Sequence, residues 1–500
     1  MASTAFRTYA HENGGRVSLL FLLFLLALYQ LVTAGLPAFA IVCLTPALAL
    51  IVLSSFRYRM LVFWVLMGIN FLVQWKDFPI TGLPTSLYNE VLEIVLLAMA
   101  IIDVKESHFE RLANVMLLAL VCWCLFCILE VLNDTCNLGL QIAAWYSGAR
   151  MMAFQMLYAF LVFTLYITKP KLLTRYLWVW AALSLFAVFW VWKQKYMGLT
   201  TMENAFLQGR GRLTHLLQAG TLIRYWSTYS DAANFGIGIA STAVAFFIFG
   251  ITARVKTHKY FYLFTSAACL WAMFPSGTRT ATFCFFAGIA FYIFLSKSFK
   301  IAIPVTILFS AAIFLLAFTN IGNSNQQIRR MRSAFDKSDA SANTRSINQA
   351  VMKKYLADAP FGLGIGLNYE NVPANNKFRK LATIPPDSEY VFIWIHTGRV
   401  GITLFLITTF IMLFGACWIV FFKIKSPSLR GIGAGLCCAF VAIQLGGYGN
   451  QVLMQFPNCL LFYGGLTLVY ILPRIENEWN EYESGLLAKE AEKKKLKNKK

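Results

Sequence analysis

Arginine stands out wherever the chain leaves its apolar runs. Arg210, Arg212 and Arg224 share one polar segment, Arg279 ends the short sequence Pro275-Ser-Gly-Thr-Arg279, and Arg345 lies in a longer polar stretch. A guanidinium is a planar fork that donates two parallel hydrogen bonds to one anionic group, so a gathering of them suits a ligand bearing phosphates. His215 lies between Arg212 and Arg224 and is the histidine best placed to join them. The acids of interest sit elsewhere. Glu90 and Glu93 are three apart, on one face of an apolar run and near its end. Carboxylates inside a membrane segment are functional candidates by default. These two either line a cavity or form an interfacial or buried pair with Tyr88 or Asn89.

Membrane helices must position these groups. At 58% hydrophobic and 13% charged, with a mean hydropathy of +0.60, the 500-residue chain is not a water-soluble globule, whose charged share is about 25%. Thirteen Trp, 21 Tyr and 44 Phe supply interfacial aromatics, and apolar runs of roughly 17 to 22 residues suffice to cross about 30 Å of hydrocarbon. A soluble enzyme and a single-span anchor are excluded. Candidate spans fall at 17–35, 37–55, 60–75, 86–104, 112–132, 150–168, 175–194, 232–252, 260–275, 280–296, 300–319, 398–422, 431–449 and 455–473. The fold class is an all-α polytopic membrane protein of about 12–14 transmembrane helices. Its parts are a bundle over 1–319 of about 11 spans with an outer loop at 195–231, a large outer loop over 320–397, helices over 398–473, and a basic tail over 474–500.

The net charge of +21 must be sorted by position before it implies a partner, because cytoplasmic loops carry excess Lys and Arg. With the N-terminus inside, every inside loop is basic, and the tail ending KKKLKNKK also falls inside. Nucleic acid is therefore not implied. Three outer segments break the rule: 195–231, the turn ending in Arg279, and 320–397, where ten basic against six acidic residues leave +4. That cationic outer face is either a solvated surface touching anionic lipid head groups or a site for an anionic ligand. The 11 cysteines lie almost wholly in apolar runs, with Cys136 alone in a loop, and form no disulfide framework or zinc spacing.

Within the long loop, Ser346 to Ala359 places Ile347, Ala350, Val351, Tyr355 and Leu356 near one face of an amphipathic helix, with Asn343 or Thr344 as its cap and Pro360 as its end. Arg345 then sits at the N-terminal edge, where an anion is favoured, or pairs with Asp336 or Asp339. Gly362-Leu-Gly364-Ile-Gly366 lacks a preceding strand and nucleotide-binding spacing, and reads as a tight turn. A metal site at Asp336 and Asp339 has little support. His396 falls within an apolar pattern and reads as a packed, hydrogen-bonded core histidine.

Where the chain re-enters the membrane, Asp387-Ser388, nine residues, Gly398, two residues and Gly401 match the spacing of the signature H-[N/S/Q]-x9-G-x-x-G, with Asp in the histidine position. Pro275-Ser-Gly-Thr-Arg279 resembles an S-G-S-R turn. Arg345 and its helix resemble an R-x-x-x-W/hydrophobic helix, and Asp358-Ala-Pro360-Phe-Gly-Leu-Gly364 resembles a P-x-x-G-x-G turn. These four, in this order over about residues 230–420, resemble the O-antigen polymerase and O-antigen ligase (Wzy-C) superfamily.

That resemblance implies a GT-C-like helical fold and transfer of a glycan from an undecaprenyl-diphosphate carrier at the periplasmic face of the bacterial inner membrane, with both termini cytoplasmic. No cofactor and no metal are implied. The partners are the lipid-linked glycan donor and acceptor, membrane lipids and a chain-length regulator. By the same resemblance Arg279 and Arg345 are diphosphate ligands, and Arg210, Arg212, Arg224 and His215 are supporting candidates by their place in the other outer loop. Glu90, Glu93 and Ser388 are substrate contacts, and Asp231 and Asn234 either hold the outer loop or touch sugar. Asp387 is the acceptor-orienting base, a helix N-cap assisted by Ser388, or both. Asp in place of His favours a polymerase. A ligase is the alternative, and a lipid-linked glycan flippase or secondary transporter is the alternative of another class.

Overall fold

The structure, a computed structural model, describes residues 58–72, 86–103, 107–217, 222–296, 340–367, 372–384 and 388–497, with isolated positions elsewhere. Asp336, Asp339, Asp387, nearly all of the expected spans at 17–35 and 37–55 and half of 300–319 lie outside the described residues. Two compact units divide the chain after residue 63, and apart from the first residues of α1 everything below concerns the second, 64–500.

The molecule is an all-α polytopic membrane protein. In order, its helices are α1 (Arg59–Leu72), α2 (Ser86–Ile102), α3 (Val115–Leu129), α4 (Ile142–Tyr166), α5 (Pro170–Tyr196), α6 (Thr201–Gln208), α7 (Ala232–Thr252), α8 (Lys256–Met273), α9 (Arg279–Leu295), α10 (Ala340–Leu356), α11 (Glu389–Trp418), α12 (Pro427–Gly447), α13 (Asn458–Ile471) and α14 (Glu476–Lys497). Among the described residues seven helical stretches are long and apolar enough to span a bilayer, and α1 and α9 are shorter apolar helices. A two-residue antiparallel hairpin, Leu216–Leu217 against Leu222–Ile223, is the one sheet among them.

Helix starts follow from side-chain chemistry. Pro170 and Pro427 open α5 and α12, where a missing N–H costs nothing. Asn114 accepts from the Met116 and Leu117 amides at the start of α3. Asp231 accepts from the Ala233 and Asn234 amides at the start of α7. Asp231 therefore holds the loop entering α7, one of its two expected roles. Thr200 and Glu203 form a capping box on α6. At the centre, α7, α12 and α13 are buried along nearly their whole length. Glycines let α12 approach α7: a Cβ at Gly435 would meet Phe249, and one at Gly446 would meet Ile237.

Three boundaries differ from expectation. The long-loop helix covers 340–356 rather than 346–359, so Arg345 lies in its second turn and not at its N-terminus. Its packed face also differs. Met352 and Leu356 are buried while Ile347 is 64% exposed, because the apolar cluster beneath it, formed with Leu363, Phe378, Val391 and Ile395, selects the 345–348–352–356 stripe. Finally, α11 starts at Glu389 rather than 398, and the expected span start is a kink at Gly398.

Loops sort to two ends of the bundle. At one end α14 gathers the turns: Glu476 accepts from the Lys425 and Ser426 amides, Trp479 donates to Ser428, Glu483 pairs with Arg254, and Glu490 accepts from the Lys256 and Thr257 amides. At the other end lie residues 224–231, the turn before α9, the start of α11 and the 447–457 turn.

Candidate functional site

The site grows from the Pro275-Ser-Gly-Thr-Arg279 turn. Gly277 supplies a positive φ of 57°. Ser276 is buried and donates to the Met273 carbonyl, and Thr278 donates to the Ala232 carbonyl at 2.9 Å, so the turn is tied to α8 and α7 before Arg279 opens α9. Arg224 clamps it from outside. Its Nε donates to the Ser276 carbonyl at 3.1 Å, Nη2 to Thr278 Oγ1 at 3.0 Å and Nη1 to the Thr214 carbonyl at 3.0 Å. Burial draws the Arg224 pKa below the usual guanidinium value, Asp231 opposes this, and the neighbouring Arg279 adds to it. Arg224, Asp231 and Arg279 thus form one electrostatic neighbourhood.

His215 faces protein. Its Nε2 accepts from the Ala232 amide at 3.1 Å, which fixes the remaining proton on Nδ1 and makes that nitrogen the donor to Thr214 Oγ1 at 2.8 Å. Edge contacts with Phe206 and Trp226 enclose the ring. It supports the start of α7 and does not join the arginines as a surface ligand. Arg210 and Arg212 are exposed on the segment between α6 and the hairpin.

The 447–457 turn links Arg279's helix to the start of α11. Gly449 packs against Thr280, whose Oγ1 lies 3.5 Å from Asn450 Nδ2. On the other side Ser388 Oγ donates to the Gly447 carbonyl at 3.1 Å, and Glu389 Oε2 accepts from the Val452 and Leu453 amides at 3.1 and 2.8 Å. Ser388, not Asp387, is the N-cap of α11, and its hydroxyl makes no cap bond because Gly447 takes it. Glu389 was missed as a site residue. In sequence it reads as one more loop charge, and its acceptor role depends on backbone amides that no side-chain pattern announces.

Arg345 lies on the side of α10 that packs toward α11, half-buried, with its Nε buried and without a hydrogen-bond partner among the described residues. Beneath it the glycine turn and the α11 kink clasp each other backbone to backbone. Leu363 N donates to Ile395 O at 2.9 Å, Gly364 N to His396 O at 3.1 Å and Val400 N to Pro360 O at 3.1 Å. Gly362 and Gly398 both have positive φ, and a Cβ on either would strike the other's backbone. His396 is buried, with Nδ1 2.9 Å from the Gly364 carbonyl, as its apolar setting suggested.

Glu90 and Glu93 lie on α2. Glu90 is buried against Arg150 at 2.9 Å and accepts from Gln155, while Asn89 instead pairs reciprocally with Asn70. A π-helical turn over Arg150–Phe154 accompanies that pairing. Glu93 is fully buried, with neither carboxylate oxygen hydrogen-bonded among the described residues.

Fold and site together define a multi-pass membrane protein with a cationic turn and a re-entering helix joined at one end of the bundle. Residues 264–406 match the family model Wzy_C, described as O-antigen ligase. The matched segment contains the Arg279 turn, α10, the glycine turn and the α11 kink, and it is similar to the O-antigen polymerase and ligase superfamily, which supports glycosyltransferase-like processing of O-antigen-type glycans. No curated protein matches the chain.

Proposed function

We propose that this protein polymerises undecaprenyl-diphosphate-linked oligosaccharide repeat units into O-antigen, capsular or exopolysaccharide at the periplasmic face of the inner membrane, with both termini cytoplasmic. The observation that carries this reading is the 447–457 turn. It packs on Thr280, next to Arg279, and binds Ser388, next to Asp387. A diphosphate held by Arg279 and an acceptor sugar held near Asp387 would then share one neighbourhood.

The reaction is an inverting displacement. The acceptor hydroxyl oxygen bonds to the anomeric carbon, the bond from that carbon to the diphosphate oxygen breaks, and the diphosphate leaves with the electron pair. The hydroxyl proton passes to the Asp387 carboxylate. Arg279 and Arg345 stabilise the charge growing on the leaving group, the kind of fixed electrostatic stabilisation that dominates many transfer reactions. Arg224 acts through the turn it clamps, and Arg210 and Arg212 extend the cationic approach. Transfer to a lipid A core or to protein is the second reading, favoured by the description of the matched family.

The test is the glycan profile of a deletion strain complemented with variants. Loss of a polymerase leaves single repeat units on the final acceptor, whereas loss of a ligase strands long chains on the carrier. Arg279→Ala and Arg345→Ala should each reduce elongation by about 100-fold or more, the scale of losing one transition-state donor, at unchanged membrane abundance. Asp387→Asn should do the same, since the amide cannot take the proton. Full-length chains from all three variants would overturn the mechanism.

A further inference from the structure

At the end of the bundle opposite this site, α5, α8 and α14 border an open cavity of about 630 Å³, lined among others by Trp64, Lys171, Arg175, Trp178, His258 and Tyr482. Lys171, Thr174 and Arg175 are spaced i, i+3 and i+4 on α5, so they share one face over a single turn. Two like charges in that relation repel, and among the described residues neither Lys171 nor Arg175 has an acidic partner. Nearby acids of α14 are engaged elsewhere: Glu483 pairs with Arg254, and Glu490 accepts from the Lys256 and Thr257 amides. Thr174, only 6% exposed, also touches the cavity, but its hydroxyl oxygen is occluded from it.

The walls identify the ligand's chemistry. Two tryptophans and a tyrosine around two cations reproduce the mixed aromatic and basic lining of the membrane interface, where an apolar body and a charged head meet. We infer that this cavity binds the headgroup of an anionic phospholipid, with the Arg175 fork and the Lys171 ammonium on the phosphate. Tyr482 of α14 forms part of the cavity wall, so bound lipid also bridges α14 and α5. The inference stands apart from the glycosyl-transfer reading, because none of its residues belongs to that site.

Full-length detergent-solubilised protein is titrated with dioleoyl phosphatidylglycerol, dioleoyl phosphatidylcholine and inorganic phosphate, with bound lipid counted by native mass spectrometry. Phosphatidylglycerol should bind roughly 10-fold or more tightly than phosphatidylcholine, and Lys171→Gln with Arg175→Gln should erase that preference, the scale of losing charge-assisted hydrogen bonds. Lys353→Gln with Lys354→Gln, exposed on α10, should change nothing. Equal binding by the wild-type protein and the Lys171/Arg175 variant overturns the site. Displacement of phosphatidylglycerol by millimolar inorganic phosphate overturns its assignment to lipid in favour of free phosphate.

Discussion

Replacing Gly398 with Ala puts the clasp between the glycine turn and α11 under direct test. Gly398 has φ 65° and ψ −168°, a region essentially restricted to glycine. Holding alanine there costs about 1–3 kcal/mol. Its new methyl group would strike the Pro360 carbonyl and the Gly362 amide nitrogen, both backbone atoms that no rotamer change can move. Relief therefore requires the two segments to part, which endangers the hydrogen bonds from Leu363 N, Gly364 N and Val400 N at 2.9, 3.1 and 3.1 Å. At about 1 kcal/mol each, loss of two of them brings the total to about 3–5 kcal/mol. Thermal unfolding of the purified variant in detergent, followed by tryptophan fluorescence, should show a Tm lowered by on the order of 5 °C. Gly485→Ala is the control. Gly485 sits within α14 with no neighbour within 4 Å of an added Cβ, and alanine there should stabilise the helix by up to about 1 kcal/mol. If Gly398→Ala unfolds at the wild-type temperature, the clasp does not hold the two segments together and the account given of it is wrong.

Two further perturbations separate geometry from charge. Arg224→Lys keeps the positive charge but cannot reach the Ser276, Thr278 and Thr214 acceptors with one ammonium. It should destabilise by about 2–3 kcal/mol and shorten the glycan ladder nearly as much as Arg224→Ala, and a lysine variant with a normal ladder and Tm would show that charge alone suffices. Glu203 accepts from Trp190, Gln194, Lys193 and the Thr200 amide. Burial pushes its pKa up, but these donors outweigh burial and hold it below the ordinary carboxylate value. Because the folded-state pKa is the lower one, the stabilisation is complete above the unfolded value near ~4.3 and is lost as pH falls through the folded value. Glu203→Gln should therefore lower Tm at pH 7, and the gap should narrow on acidification below about pH 4. A gap that is constant with pH would rule out this ionic contribution.

Much of the fold is legible in the sequence because hydropathy in a membrane chain is nearly a structural coordinate. The starts of α7 and α9 fall within a residue of expectation, since Asp231 and Arg279 mark them in type as well as position. The N-cap expected at Asp387 with Ser388 already pointed to a helix start close to Glu389. The membrane span of α11 was nonetheless expected from 398, nine residues after the helix begins, because Glu389 looks like a loop charge until the Val452 and Leu453 amides are seen to donate to it. The α10 face was misread for a related reason. Ile347 and Met352 are both plausible inward residues, and only the cluster containing Leu363 and Ile395 chooses between them. At the site, Arg279 and Arg345 could be picked out by residue type and motif. The clamp role of Arg224 and the cap role of His215 could not, because two of the three Arg224 acceptors are carbonyls and the donor to His215 Nε2 is an amide, groups that every residue carries.

The clasp also bears on what the glycine signature means. Gly362 and Gly398 owe their identity to two stretches of main chain lying closer than any side chain permits. A polypeptide that had lost its catalytic side chains would still need both to bring its extramembrane loop down onto the entering helix. Their presence certifies a joint in the architecture and is silent about which sugar is handed to which recipient.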